Sequence, residues 1–402
     1  MGSEFNRRQF LKSGLALTGG VVLGAGLSAG SLIRFGKEEV GVGVIGTGDR
    51  GTGLMRLIQK IGGLNVVACA DVIPFRLQEA LSFSSGAKGY ETYMDLINDK
   101  NVDAVIVTTP FSTHDAIAIA ALKAGKHVYC EKTMAKGLAE IQNVIDAASK
   151  ANVVFQTGHQ YHSSPLYNKV RSIINSGYIG EVTAYECQWN RNGDWRRQVP
   201  DPKWERLINW RMYREYSGGL VAELMSHQID FINWVTAEVP SKITGFGGID
   251  HWKDGRETFD NVHMLYEYPS GLDASFTSTT TNGFADYEIK ILGSKATIVL
   301  DYAKGLIYAE KKGMKEKGLV DGVSGATLQA WNKGEGAPID ASGADPTIDA
   351  LKQFYNSIVD GAPVISDIVT GAQTAKCVQI SLDALYQNEI KYWKDYPELK
   401  FS

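Results

Sequence analysis

Val40-Gly41-Val42-Gly43-Val44-Ile45-Gly46-Thr47-Gly48-Asp49-Arg50-Gly51 is the stretch on which the fold turns. The valine and isoleucine run reads as a buried strand, and it leads straight into a Gly-x-Gly-x-x-Gly turn and a helix over residues 52–61. In that context the glycines have a physical task. Gly46 and Gly48 let the backbone turn sharply and approach a pyrophosphate, while the helix start supplies free N–H groups and a favourable dipole. Gly46, Thr47, Gly48, Asp49, Arg50 and Gly51 thus form a candidate dinucleotide cradle. A second strand over 64–70 ends at Asp71, whose carboxylate would accept hydrogen bonds from the adenosine ribose and repel a 2′-phosphate, favouring NAD. Arg76 offers a guanidinium to that same phosphate, so NADP stays open.

Outward from this unit the chain alternates. A short helix at 93–97, a strand at 103–108, a helix at 114–124, a strand at 127–130, a helix at 138–150 and a strand at 153–155 predict an α/β, doubly wound parallel sheet over 38–157. From residue 158 to 402 the texture changes to an α+β domain. Strand-like runs lie at 182–189, 262–268, 272–280, 287–292 and 296–301, mostly antiparallel by their spacing. Helices are expected at 165–175, 219–235, 348–360 and 369–386, the last two placed to pack back on the first domain. Residues 312–346, rich in glycine, alanine and lysine, read as a loop or hairpin excursion.

With 402 residues and 44% apolar content, the chain has enough material for two cores. A formal net charge of -4 lacks the basic field that holds a phosphate backbone, which argues against nucleic acid as a partner. Cys69, Cys130, Cys187 and Cys377 are scattered without metal-ligand spacing, so neither a disulfide framework nor a metal site is expected. The amino terminus differs in kind: Asn6-Arg7-Arg8-Gln9-Phe10-Leu11-Lys12 is a twin-arginine pattern that runs into a glycine-rich apolar stretch at 13–29. That stretch is too short for a comfortable span, so residues 1–37 read as a signal and linker, cleaved or retained as an anchor. A periplasmic or otherwise exported protein without an integral membrane domain is the expectation.

Four motifs in order carry a family resemblance: Gly46 to Gly51; Thr109-Pro110-Phe111-Ser112-Thr113-His114; Glu131-Lys132-Thr133; and Gly218-Gly219 with Glu223, His227 and Asp230. Together they resemble the glucose–fructose oxidoreductase, inositol dehydrogenase and MocA family over nearly all of the chain after Val40. The resemblance implies a Rossmann domain, then a domain whose open sheet often supports homo-oligomers. It places Thr109, Pro110, His114, Glu131 and Lys132 at the cofactor, with Lys132 beside the nicotinamide. Thr133 stands where the family has proline, a position at which the family often has a cis peptide. The resemblance also supports His227 as acid/base, and it puts aspartate where Glu223 stands here.

The chemistry agrees with that assignment. Oxidising a secondary alcohol needs a group to take the hydroxyl proton while the nicotinamide takes the hydride, and a lysine lowered by burial can relay it. Glu223 and His227 lie four apart in the expected helix and share a face, so the carboxylate would orient the imidazole or hold a substrate hydroxyl. His159-Gln160-Tyr161-His162 follows the last Rossmann strand, where a substrate cleft is expected. Trp189, Trp195, Trp204 and Trp210 fall among Arg191, Asn192, Asp194, Arg196, Arg197 and Arg211, a composition suited to stacking and hydrogen-bonding a sugar ring. The expected function is an NAD(P)-dependent oxidoreductase acting at a secondary alcohol of a sugar, glycoside or polyol, with a tightly bound, internally recycled cofactor. Two alternatives remain: a redox-neutral glycoside hydrolase working through a transient 3-keto species, and a non-catalytic dinucleotide- and sugar-binding protein.

Overall fold

A computed structural model describes residues 38–310, 336–341, 343 and 345–401, so the twin-arginine segment lies outside the described residues. Short runs of valine, isoleucine, alanine and cysteine, buried on both faces where they lie centrally, pair side by side as one parallel sheet. Its strands are β1 (Val40–Ile45), β2 (Leu64–Ala70), β3 (Lys88–Tyr90), β4 (Ala104–Val107), β5 (His127–Cys130) and β6 (Phe155–Thr157). They lie in the order β3-β2-β1-β4-β5-β6. The order reverses between β1 and β4, and a crevice opens beyond their carboxyl ends, where doubly wound sheets bind ligands.

The structure departs from the sequence reading in detail. The first helix spans Asp49–Ile58, three residues ahead of expectation, because Gly48 serves as its extended N-cap and Asp49 supplies a negative charge in the first turn. The helix Pro74–Phe83 and the short β3 were not anticipated. The last parallel strand runs from Phe155 to Thr157 rather than over 153–155. Its buried polar residues are tied to distant segments: Gln156 Nε2 donates to Ala350 O at 2.9 Å, and Thr157 Oγ1 lies 2.6 Å from Ser366 Oγ.

The second sheet comprises β7 (Val182–Asn190), β8 (Lys242–Gly248), β9 (Asn261–Glu267), β10 (Asp273–Thr279), β11 (Tyr287–Gly293), β12 (Ala296–Leu300), β13 (Gly305–Ala309), β14 (Ala337–Pro338) and β15 (Lys391–Tyr392). Its order is β14-β13-β12-β11-β7-β10-β9-β8-β15, antiparallel except between β7 and β10. Strict burial alternation along β9, β10 and β11 puts one face on the core and leaves the other open. The sequence did not reveal β8, whose glycines depress strand propensity; a Cβ on Gly247 would lie 2.7 Å from Asn261 O, so close backbone approach requires that glycine. Nor did it reveal β13, β14 and β15. Within 312–346, β14 pairs with β13, and 311–335 lie outside the described residues.

The carboxy-terminal helices join the two layers. Pro346–Val359 buries Ala350, Leu351, Phe354 and Ile358 with Val42, Val44 and Tyr129 beside the parallel sheet. Ile368–Gln387 gives Ala372 and Ala375 to that sheet's other core and Cys377, Val378 and Ile380 to the core of the second sheet. Each such fully buried aliphatic side chain larger than alanine contributes about 1.5–3 kcal/mol. All four cysteines are buried and free, and burial pushes the Cys69 and Cys377 thiols up to about 12. No described helix is long and apolar enough to cross a membrane.

Candidate functional site

In the loop after β1, three glycines meet three different surroundings. Gly46 has φ +90°, and a Cβ there would lie 2.8 Å from Thr109 N; a Cβ on Gly51 would run into Gly46 O and Thr108 Oγ1. Those two glycines are required by the protein's own packing. Gly48 is different, since a Cβ there meets only Arg76 Nη1 at 3.6 Å. The second glycine therefore leaves an open face in front of a helix N-terminus that has no side-chain cap, as close approach by a pyrophosphate requires.

Asp71 steadies this loop: Oδ2 accepts from Thr47 N at 2.8 Å and from Thr47 Oγ1 at 3.2 Å, and Oδ1 accepts from Ile73 N at 2.8 Å. Arg76 stands alongside, its pKa lowered by burial against the opposing pull of Asp71 and Asp49. Arg50 closes onto Glu131 through Nε and Nη2, both 2.7 Å from Oε1. Asp49 is ion-paired with Arg197, which arrives from the second sheet's long 191–215 excursion.

At the carboxyl ends of β4 and β5 lies a cleft of about 300 Å³. Thr108, Thr109, Phe111, His114, Glu131 and Lys132 line one side, and Gln160, Trp195, Trp210, Arg211, Glu223, Leu224 and His227 the other. The Lys132–Thr133 peptide is cis. Lys132 Nζ donates to Ala222 O at 3.1 Å and Glu223 O at 2.9 Å, so the ammonium is pinned to the turn opposite. Burial holds its pKa below the ordinary lysine value, opposed by the carboxylates of Glu223 and Glu131. Pro110 caps the turn Phe111–Thr113 that carries the chain away from Thr109.

His114 does not present its ring to a ligand. Nδ1 lies 2.9 Å from Thr133 O and Nε2 lies 2.8 Å from Thr109 O. A neutral imidazole satisfies only one of these acceptors, and burial favours that neutral form. The ring thus straps the segment after Lys132 to the segment after β4.

The expected helix over 219–235 contains a π-helical turn, Val221–Met225, and continues as the α-helix Ser226–Thr236. That turn corrects one expectation. The Glu223 carboxylate bonds Arg211 Nε at 2.7 Å and makes no bond to His227. Burial pushes the Glu223 carboxyl up, but Arg211 and Lys132 outweigh it and hold the group below the usual carboxylate range. His227 keeps Nδ1 buried without a partner among the described residues, and burial, reinforced by the charge of Lys132, holds its pKa well below the ordinary value. It is an uncharged imidazole facing the cleft.

Several residues expected to touch substrate lie behind this surface. The Tyr161 and Trp189 rings back His227 at 5.2 and 5.6 Å, and His159 lies 6.3 Å from it with Nδ1 3.1 Å from Thr157 Oγ1. His162 is buried, with Nε2 2.9 Å from Asp230 Oδ2, which is where the fourth motif's aspartate is spent. Arg191 pairs with Asp286 at 3.0 Å and donates to Tyr302 OH at 3.0 Å, away from the lining. Of the four tryptophans, Trp195 and Trp210 reach the cleft. Arg196 pairs with Glu205 and Asp254 and braces the excursion. The sequence reading missed Thr108, Phe111 and Leu224 as lining residues; Thr108 had a signal, as a strand-end threonine whose hydroxyl donates to Gly46 O at 2.6 Å.

Comparison with known proteins agrees with this architecture. Residues 40–159 match the oxidoreductase family, NAD-binding Rossmann fold, and residues 167–299 match the GFO/IDH/MocA C-terminal domain. An uncharacterized oxidoreductase of Streptococcus pneumoniae serotype 4 is 31% identical over 263 residues, 64% of this chain and 68% of that protein. Inositol 2-dehydrogenase of Salmonella typhimurium is 34% identical over 202 residues, 50% of this chain and 54% of the relative, so the match spans about half of that enzyme. Among solved structures, aldose-aldose oxidoreductase from Caulobacter crescentus superposes with TM-score 0.70 at 20% identity, covering 88% of this chain and 99% of that one, and shares the fold. The chain belongs to the GFO/IDH/MocA oxidoreductase family, with both its NAD-binding Rossmann and C-terminal units present.

Proposed function

We propose that this chain is an exported NAD-dependent oxidoreductase acting at a secondary alcohol of a sugar, glycoside or polyol, with its cofactor held tightly and recycled in place. The observation that carries the reading is the meeting of Lys132 and His227 in one cleft: a buried amine with a lowered pKa and an uncharged imidazole. Bound at the Gly46–Gly51 loop, the nicotinamide would accept and return the hydride. The protein's own part is to hold and move the proton. His227, neutral at pH 7, takes it from the substrate hydroxyl, and Lys132, fixed on the carbonyls of Ala222 and Glu223, holds the developing ketone oxygen and relays charge. Trp195 and Trp210 supply apolar faces for the C–H surface of a ring. Asp71 favours NAD over NADP.

The twin-arginine pattern supports export of a protein already folded around its cofactor, and an exported enzyme has no free dinucleotide pool to draw on. Homo-oligomerisation through the open sheet belongs to the same proposal: Phe246 and Leu265 are 72% and 49% exposed on that face. The test is to purify the protein without added dinucleotide, record the reduced-nicotinamide absorbance, and add sugars, polyols and aryl glycosides. A change in cofactor redox state with a free sugar or polyol supports the proposal. Aglycone release with no net redox change assigns the redox-neutral glycosidase instead, and dinucleotide binding with neither outcome leaves a binding protein.

A further inference from the structure

We infer that the Arg211–Glu223 pair is a hydroxyl clamp that selects an electrically neutral ring bearing adjacent hydroxyls over a sugar acid or sugar phosphate. The inference rests on the oxidoreductase reading and adds the charge class of its substrate. Arg211 enters the cleft from the turn Trp210–Met212. Its guanidinium stacks 4.3 Å from the Trp210 ring centre, and Thr258 Oγ1 anchors its backbone by donating to Arg211 O at 2.9 Å. The ion pair itself is single-pointed, Nε to Glu223 Oε2 at 2.7 Å. Both terminal nitrogens of Arg211 and Oε1 of Glu223 are left without a partner among the described residues, side by side in the cleft.

That leftover set combines N–H donors with one charged acceptor. A hydroxyl both donates and accepts, so two adjacent hydroxyls fill the set: one donates to Glu223 Oε1 and the other accepts from Arg211. A carboxylate or phosphate only accepts. It would satisfy Arg211 while setting a second negative charge beside Glu223, and the two other cations lining the cleft, Arg50 and Lys132, are already engaged. Arg50 is paired with Glu131, and the Lys132 ammonium gives two of its three donors to carbonyl oxygens, which leaves the third for the reacting oxygen of the substrate. Discrimination against the anion follows from charge, and recognition of the diol from geometry.

The experiment uses the full chain saturated with NADH, where turnover cannot proceed by oxidation of the sugar, and reads binding through tryptophan fluorescence, since Trp195 and Trp210 line the cleft. The probes are glucose and myo-inositol against glucuronate and glucose 6-phosphate. A neutral probe is expected to bind at least tenfold more tightly than the anionic ones. Glu223→Gln should weaken the neutral probe roughly 10- to 100-fold, the range for a lost charged hydrogen bond, and narrow the gap to glucuronate. Arg211→Lys, which keeps the charge but loses the planar fork, should weaken it similarly and, in a separate turnover assay with NAD, raise KM far more than it lowers kcat. Glucuronate binding as tightly as glucose to the parent, with neither affinity changed by Glu223→Gln, overturns the inference and leaves the oxidoreductase reading standing. NADH binding with no response to any probe sinks both.

Discussion

The dinucleotide loop and the cleft it faces are built in opposite ways. In the loop, three consecutive constraints sit within six residues: Gly46 in a positive-φ turn, Gly48 open to its surroundings, and Gly51 pressed against Gly46. In the cleft, the groups that matter come from far apart. Lys132 is fixed by carbonyls 90 and 91 residues away, and Glu223 is claimed by Arg211 rather than by the histidine one turn along. A function written into backbone geometry is local, while one written into side-chain pairing depends on which distant segment the fold brings to a charge.

The largest expected effect separates the two regions directly. Lys132→Met should lower the rate of cofactor reduction by about 10²–10⁴-fold, the usual contribution of a positioned proton-transfer group, while the dinucleotide dissociation constant moves by less than tenfold. Stopped-flow absorbance and calorimetry on the same preparation measure both. If affinity falls as steeply as rate, the loop and the cleft are not separable and Lys132 serves chiefly to hold the cofactor.

A smaller effect comes from within the loop. Gly48→Ala brings a methyl group into ordinary contact with the Arg76 guanidinium alone, so the melting temperature should stay within a few degrees, yet dinucleotide affinity should drop on the order of tenfold or more because the backbone no longer admits a pyrophosphate at contact distance. Gly51→Ala should do the reverse in kind, destabilising the fold by about 1–3 kcal/mol through overpacking against Gly46 O. Equal losses of stability in the two variants would show that all three glycines serve packing alone.

These contrasts explain what was legible in the sequence. The strand, the glycine turn and Asp71 were readable because the period of the apolar run and the turn chemistry occupy neighbouring positions. The parallel sheet followed from alternation, and the second sheet from runs such as 262–268 and 287–292. The strand β8 was hidden because its glycines mimic a loop, and β6 slipped by two residues because buried Gln156 and Thr157 look like surface. In the site, Lys132 and His227 were picked out with help from the family resemblance. The partner of Glu223 was not, because helical spacing pointed to His227 and the π-turn at Val221–Met225 carries no signature that spacing detects. Nor was it visible that His162 is consumed by Asp230, since the two are 68 residues apart.

The smallest effect tests the buried histidines of the cleft through pH. Burial lowers the pKa of His114, His159 and His227 below the ordinary value of 6.5. The unfolded chain therefore binds more protons than the folded one between the folded values and about 6.5, so stability is fully present above pH 6.5 and is lost as pH falls through that window. Each histidine contributes about 1.4 kcal/mol per pH unit while it titrates only in the unfolded state. Urea unfolding at pH 7, 6 and 5 should show stability falling with acid, and His227→Gln should make the slope shallower by one histidine's share. Loop variants such as Gly48→Ala should leave that slope untouched, since residues 46–51 contain no histidine. A slope in His227→Gln as steep as in the parent would mean that this imidazole is charged in the folded protein, and the cleft would then lack the neutral base that separates its chemistry from the loop's.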